Sequence, residues 1–155
     1  MKSIPKGFTL IEMLGVLFII ATLIGILFPT IAKVRMKGKV AKAQAEIEAL
    51  GVALRMYESD LGKYPPNTSQ EADALYKYLG NSRTSGALNI TVGPYMEFKT
   101  KDLVPGNIFR DPWKQAYVYS SRDGSPAATN NTYSFDIQSL GPDNASGTND
   151  DVKNW

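Results

Sequence analysis

The sequence predicts an α+β protein in which a long N-terminal α-helix packs on a small antiparallel β-sheet. Two observations lead to this prediction. An uncharged apolar run near the N-terminus passes directly into a one-sided apolar stripe, and two stretches with alternating apolar residues follow near the C-terminus. A change of apolar period from 3.6 to 2 along a chain is typical of a helix followed by strands. The 155 residues are enough for one domain and an extended helix.

The composition excludes several kinds of site. The chain has no Cys and no His, so it forms no disulfide, no thiolate metal site and no Ser-His-Asp triad. Its net charge of +2 comes from Lys2 and Lys6, and fifteen basic and fifteen acidic residues remain without residues 1–7. This balance gives no global indication of nucleic-acid binding.

Residues 13–32 carry no charge and are long enough to cross a bilayer as a helix. Three interpretations are open: a cleaved secretory signal, a plain membrane anchor, and a segment that is cut before the apolar run. No suitable small-x-small site follows the run, which argues against the first interpretation. A plain anchor leaves Glu12 unexplained, because a carboxylate in a membrane helix is costly and usually has a partner.

The stretch KGFTLIE favours the third interpretation. It resembles the N-terminal signal of type IV pilins and type II secretion pseudopilins, in which a prepilin peptidase cuts after Gly. The resemblance implies cleavage after Gly7, N-methylation of Phe8, and assembly through a contact between the Glu12 carboxylate and the N-terminal ammonium of Phe8 in a neighbouring subunit. The alternative is that Glu12 only extends to the membrane interface.

The distribution of basic residues and the family resemblance indicate opposite orientations of the chain in the membrane. Two precede the run and five follow it, so the positive-inside rule favours a cytoplasmic C-terminal side; the five are Lys33, Arg35, Lys37, Lys39 and Lys42. The resemblance implies a single pass of the bacterial inner membrane with the globular domain in the periplasm, and we follow it because the motif is a processing site. The predicted parts are a cleaved leader (1–7), a hydrophobic transmembrane and assembly helix (8–32) and a periplasmic domain (33–155).

After residue 32, apolar residues recur at spacings of three or four, as on the buried face of a helix. The stripe comprises Val40, Ala43, Ile47, Leu50, Leu54, Tyr57 and Leu61. We expect it to pack on a core rather than form a coiled coil, since it is short and strand patterns follow. Gly62 is placed to cap the helix, and Pro29 is expected to kink or locally open it.

The rest of the chain predicts smaller elements. Residues 71–79 read as a short helix, and residues 80–111 as a variable loop with short strands. Residues 116–121 and 132–139 alternate apolar and polar side chains and predict a β-hairpin with a long tip. Trp113 is expected to be a core aromatic residue, and Asp111 a turn residue before Pro112.

The stretches DLGKYP, GPY, DPW, YVY and SLGPD are similar, in that order, to the major pseudopilin of type II secretion. This resemblance spans most of the chain and implies a type IV pilin-like fold. Lys114 and Asn144 depart from it, because the family commonly has Gly at both positions.

A candidate metal site lies in the C-terminal loop. Asp143, Asp150 and Asp151 fall within nine residues rich in Gly, Asn and Ser, and carboxylates on flexible loops suit Ca²⁺. The same residues also suit a polar turn without a metal. The resemblance implies one structural Ca²⁺, held by these three side chains and by the backbone carbonyls of Leu140 and Thr148.

The resemblance implies a structural subunit and not an enzyme. Its partners would be copies of itself in a filament, other pseudopilins, inner-membrane secretion components, the prepilin peptidase and methyltransferase, and the membrane, with no nucleic acid. One alternative is a type IV pilin for adhesion, motility or DNA uptake, but many of those carry a C-terminal disulfide that this chain lacks. A remote alternative is a membrane-anchored hydrolase or binding protein.

Overall fold

The structure, a computed structural model, describes residues 7–67, 74–84 and 91–155. The chain divides into a first unit, Met1–Gly38, and a second unit, Lys39–Trp155. The two units have different surroundings for their apolar side chains.

Helix α1, Leu10–Leu61, begins in the first unit. There its large apolar side chains are all exposed, from 43% for Ile31 to 84% for Leu10. By length and composition this part can cross a membrane, with a mean hydropathy of 2.6 over eighteen residues. The helix continues through Pro29, so of the two expected effects the local opening was wrong and the kink stays a prediction. Proline removes one hydrogen bond, but its fixed φ is compatible with helical geometry.

In the second unit, one face of α1 builds the core. The predicted stripe is confirmed, since five of its members are at most 3% exposed and the two end members, Val40 and Leu61, pack against the core as half-buried residues; the five are Ala43, Ile47, Leu50, Leu54 and Tyr57. The helix ends at Leu61, and the next residue, Gly62, has a φ of 71° and donates its N–H to the Glu58 carbonyl (2.7 Å). The predicted glycine cap is therefore confirmed.

A three-stranded antiparallel sheet covers this face of the helix. Its strands are β5 (Val118–Ser121), β6 (Phe135–Ser139) and β7 (Val152–Lys153), and β6 lies in the middle. The predicted hairpin is confirmed, with Tyr119 opposite Ile137 and Ser121 opposite Phe135. Both strands are shorter than predicted: Tyr133 is 88% exposed, because a turn closed by the Ser134 N–H and the Asn131 carbonyl precedes β6.

The segment between helix and sheet contains small elements. Helix α2, Ala74–Leu79, is the described part of the helix predicted for 71–79, whose first three residues lie outside the described part. The predicted short strands are present as two pairs. Strands β1 (Arg83–Thr84) and β2 (Thr91–Val92) pair with each other, and β3 (Leu103–Val104) pairs with β4 (Ile108–Phe109). A 3₁₀ turn, Thr100–Asp102, precedes β3.

Candidate functional site

The predicted processing site lies just before helix α1. Gly7 and Phe8 precede the first helical residue, Leu10, and the Phe8 side chain is 72% exposed. Residues 1–6 of the predicted leader lie outside the described residues. The two residues on either side of the predicted cleavage position are therefore accessible in the structure.

Glu12 has a partner in its own chain that the sequence reasoning missed. Its Oε2 accepts hydrogen bonds from the Thr9 N–H (2.8 Å) and the Thr9 hydroxyl (2.7 Å). The Glu12 N–H donates back to the Thr9 hydroxyl at 3.4 Å. This is a capping box, which satisfies backbone groups at a helix start, and its signal is a Thr followed three residues later by a Glu.

The C-terminal loop brings two of the predicted calcium ligands together. The Asp143 N–H lies 3.4 Å from Asp150 Oδ2, and Asp150 Oδ1 accepts the Thr148 hydroxyl at 2.6 Å. That hydroxyl holds the pKa of the Asp150 carboxyl below its ordinary value. A side chain at Gly141 would collide with the Asp150 carbonyl and carboxylate, because an added Cβ would lie 2.5 and 2.8 Å from them.

Asp151 has the most unusual surroundings in this loop. Its side chain is fully buried, and Oδ2 accepts the Gly147 N–H (2.7 Å) and lies 3.1 Å from Lys153 Nζ. Oδ1 is buried without a hydrogen-bond partner among the described residues. A buried unpaired carboxylate oxygen is costly and suits a cation.

The loop has the oxygen ligands that a hard cation prefers, but its carboxylates are not arranged to share one ion. Among the residues that the structure describes, no three acidic side chains are placed to hold a metal ion. Each of the three loop carboxylates has at least one oxygen engaged by a donor of the loop itself, such as the Ala145 N–H on Asp143 Oδ1 (2.9 Å). The five-ligand set of Leu140, Asp143, Thr148, Asp150 and Asp151 stays a prediction.

Asp111 has a larger role than the predicted turn. It is 4% exposed and accepts the N–H groups of Trp113 (2.9 Å) and Gln115 (2.8 Å), and the Ser139 hydroxyl. It therefore joins the turn before β5 to the end of β6. Trp113 is half-buried against the core, as predicted.

Comparisons with known proteins identify the family. The family model described as "Type II secretion system (T2SS), protein G" matches residues 30–155, and the "Prokaryotic N-terminal methylation motif" matches residues 4–28. The chain belongs to the type II secretion system protein G family. The predicted family is therefore confirmed.

Curated relatives named "Type II secretion system core protein G" match along almost the whole chain. The protein of Escherichia coli (strain K12) is 31% identical, over 97% of this chain and 90% of the relative. That of Pseudomonas aeruginosa is 32% identical, over 97% and 94%. The crystal structure of the major pseudopilin from the type 2 secretion system of enterohaemorrhagic Escherichia coli matches with a TM-score of 0.49 and 22% identity, over 80% of this chain and 92% of that chain.

In this protein G family member, the segment that matches the methylation motif contains Gly7, Phe8 and Glu12. The match indicates processing by a prepilin peptidase. The cleavage position and the role of Glu12 in assembly stay predictions.

Proposed function

We propose that this protein is a structural subunit of a type II secretion pseudopilus, processed after Gly7, held in the membrane and then polymerised. One observation carries the proposal: the described large apolar side chains in the first part of helix α1 are exposed, and most of them lie within the segment that matches the methylation motif. Exposed apolar surface of this extent needs lipid or other helices around it. A membrane anchor and a bundle of identical helices each supply that environment.

The proposal includes a location and partners. The anchor lies in the inner membrane, and residues 33–155 lie in the periplasm. The filament contains copies of this chain and other pseudopilins, works with inner-membrane secretion components, and drives the export of folded proteins across the outer membrane. The protein acts by assembly and not by catalysis.

Glu12 is the proposed assembly residue. The capping box occupies Oε2, while Oε1 has no partner among the described residues. Cleavage after Gly7 would create an ammonium on Phe8, and the Phe8 of a neighbouring subunit would approach Oε1. The two charges would then neutralise each other in an apolar environment, where either one alone is costly.

Two substitutions separate the capping role of Glu12 from its charge. Glu12→Gln keeps an oxygen for the capping box but removes the charge, whereas Thr9→Ala removes the two hydrogen bonds of the Thr9 hydroxyl and keeps the charge. We expect Glu12→Gln to abolish filaments and Thr9→Ala to leave them, as counted by electron microscopy of cells that overproduce the protein. Membrane fractionation checks that both variants are inserted. Normal filaments with Glu12→Gln would contradict the charge pairing.

We also propose that the C-terminal loop binds one structural Ca²⁺. The support is the unpaired, buried Oδ1 of Asp151 beside Asp150, in a loop rich in oxygen ligands. The proposed ligands are the side chains of Asp143, Asp150 and Asp151 with the carbonyls of Leu140 and Thr148. Among the described residues of this loop, only Asp151 has an ion pair, with Lys153. Bound calcium would supply positive charge to Asp143 and Asp150 as well, and would hold the loop next to β7.

Thermal unfolding with calcium and with a chelator tests this site. Calcium at about 100 times its dissociation constant adds about 2.7 kcal/mol to the free energy of unfolding. Asp143→Asn should remove most of this gain without lowering the chelated Tm, because the Asp143 side chain is exposed. Asp151 is a poorer test position, since its carboxylate also binds Lys153.

Glu97→Gln is the matched control for Asp143→Asn, since Glu97 is an exposed carboxylate outside the loop. It should keep the full calcium gain. Equal Tm values for the unmodified protein in calcium and in chelator would exclude the calcium site and leave the filament proposal untouched.

A further inference from the structure

A basic pocket opens in the second unit beside the start of its helix. Its volume is about 360 Å³. Four cations and two carboxylates line it, an excess of two positive charges; they are Lys42, Lys101, Arg110, Lys114, Asp102 and Asp111. None of these residues belongs to the predicted assembly or calcium sites.

The carboxylates do not neutralise this pocket. Asp111 is buried and its two oxygens already accept two N–H groups and the Ser139 hydroxyl. Asp102 approaches Lys42 only to 4.0 Å, and Lys42 lies 3.4 Å from Glu46. Lys101 and Lys114 are exposed and have no ion pair among the described residues. At least two cations are therefore available to a ligand.

Arg110 provides a directional donor at the same place. Its Nη1 donates to the Lys114 carbonyl at 2.7 Å, which fixes the guanidinium against the turn. Its Nε is buried and has no hydrogen-bond partner among the described residues. Guanidinium groups are well suited to oxyanions because their donors are fixed in one plane.

The backbone at Lys114 is unusual for a lysine. Its φ is 72°, in the left-handed region where glycine is the favoured residue. A strained residue at a charged pocket points to a function for its side chain. Glycine would fit this turn better, but it would remove one of the four cations.

We propose that this pocket binds a phosphate group. The lining residues carry two more positive than negative charges, and Glu46 pairs with one of them, Lys42, so the pocket suits a phosphate group with one or two negative charges. Arg110 and the lysines supply donors for its oxygens. A phosphate group is offered both by free phosphate and by an anionic lipid headgroup. The site serves either source with the same chemistry.

Titrations of the full chain in neutral detergent micelles test the proposal. Inorganic phosphate is one probe, and phosphatidylglycerol mixed into the micelles is the other, with phosphatidylcholine as its control and chloride holding the ionic strength constant. Amide chemical shifts should change in a saturable manner at Lys42, Lys101, Arg110 and Lys114. Saturation by phosphate identifies a free-anion site, and saturation by the lipid alone identifies a headgroup site.

Three variants make the test specific. Lys114→Gln removes the charge. It should raise the dissociation constant of whichever probe binds about tenfold, because one hydrogen bond to a charged group contributes roughly that much to affinity. Lys114→Gly should weaken binding equally and raise the Tm without ligand, because it relieves the left-handed backbone. Lys63→Gln removes an exposed lysine outside the pocket and should leave binding unchanged.

No saturable shifts with either probe would overturn the proposal. Equal dissociation constants for Lys114→Gln and the unmodified protein would also overturn it, because Lys114 would then contribute nothing to binding. Equal weakening by Lys114→Gln and Lys63→Gln would overturn it too, because the effect would then be one of general charge.

Discussion

At the scale of single residues, Asp136 connects the sheet to the loop before it. Its side chain is buried, and Oδ2 accepts the N–H groups of Thr129 and Asn130, both at 2.9 Å. The Asn131 N–H donates to Oδ1 at 2.8 Å. One carboxylate thus satisfies three consecutive backbone donors, which explains why the loop before β6 turns back toward the strand.

These donors predict a pH dependence of stability. Burial raises the pKa of Asp136, but the N–H groups of Asn130, Asn131 and Thr129 outweigh it and hold the pKa below the ordinary 3.8. Because the folded pKa is lowered, the carboxylate stabilises the fold fully above pH 3.8, and this contribution is lost as the pH falls through the lowered pKa.

Asp136→Asn measures this contribution. Above about pH 5 the variant should lose roughly 1.5–3 kcal/mol of unfolding free energy, the value of hydrogen bonds to a charged group. The difference from the unmodified protein should shrink in acid, because both side chains are then neutral. Urea unfolding at several pH values checks it, and a difference that grows in acid would contradict the assignment.

At the scale of elements, Gly51 marks where helix α1 lies against strand β6. A Cβ added at Gly51 would lie 3.5 Å from Phe135 Cζ, an ordinary contact distance. Because glycine inside a helix is destabilising relative to alanine, we expect Gly51→Ala to raise the unfolding free energy by about 0.5–1 kcal/mol. Urea unfolding measures this directly.

Gly80→Ala is the contrasting variant. Its Cβ would lie 2.9 Å from the Tyr76 carbonyl oxygen and 3.0 Å from the Phe98 ring. The added methyl group would therefore clash, unlike the one at Gly51. Gly80→Ala should lower the unfolding free energy. Destabilisation by both variants would show that the helix and the sheet are too close at Gly51 for an added methyl group.

The helix was predictable from the sequence because one local period determines it. Ile47, Leu50 and Leu54 recur at helical spacing, and all three are buried. The ends of the hairpin were not predictable, since Tyr133 continues the alternation of β6 yet lies in a turn that the Ser134 N–H closes on the Asn131 carbonyl. The alternation itself does not show where this turn gives way to the strand. Strand β7 has two residues, too short for any alternation to be read.

The proposed functional residues also differ in how far the sequence alone predicts them. The motif around Gly7 and Glu12 is contiguous and was readable in full, and so was the Thr9 signal of the capping box, although it was overlooked. The basic pocket was not readable, because it joins Lys42 to Lys101, Arg110 and Lys114 from separate segments. Only the fold brings these residues together.

At the scale of the whole molecule, the two units bury their apolar side chains to different extents. The second unit has its own core of helix and sheet residues, including Leu50, Leu54, Phe135 and Ile137. The first unit leaves its apolar helix exposed. A chain of this kind needs a membrane before assembly and neighbouring helices after it.

The intact mass of the protein purified from membranes of its native host tests this account most directly. The account predicts a chain that has lost residues 1–7 and gained one methyl group on Phe8, because assembly through Glu12 needs the ammonium that cleavage creates. A full-length, unmethylated mass would contradict it, since Glu12 would then have only its capping role and the exposed helix would be a plain anchor.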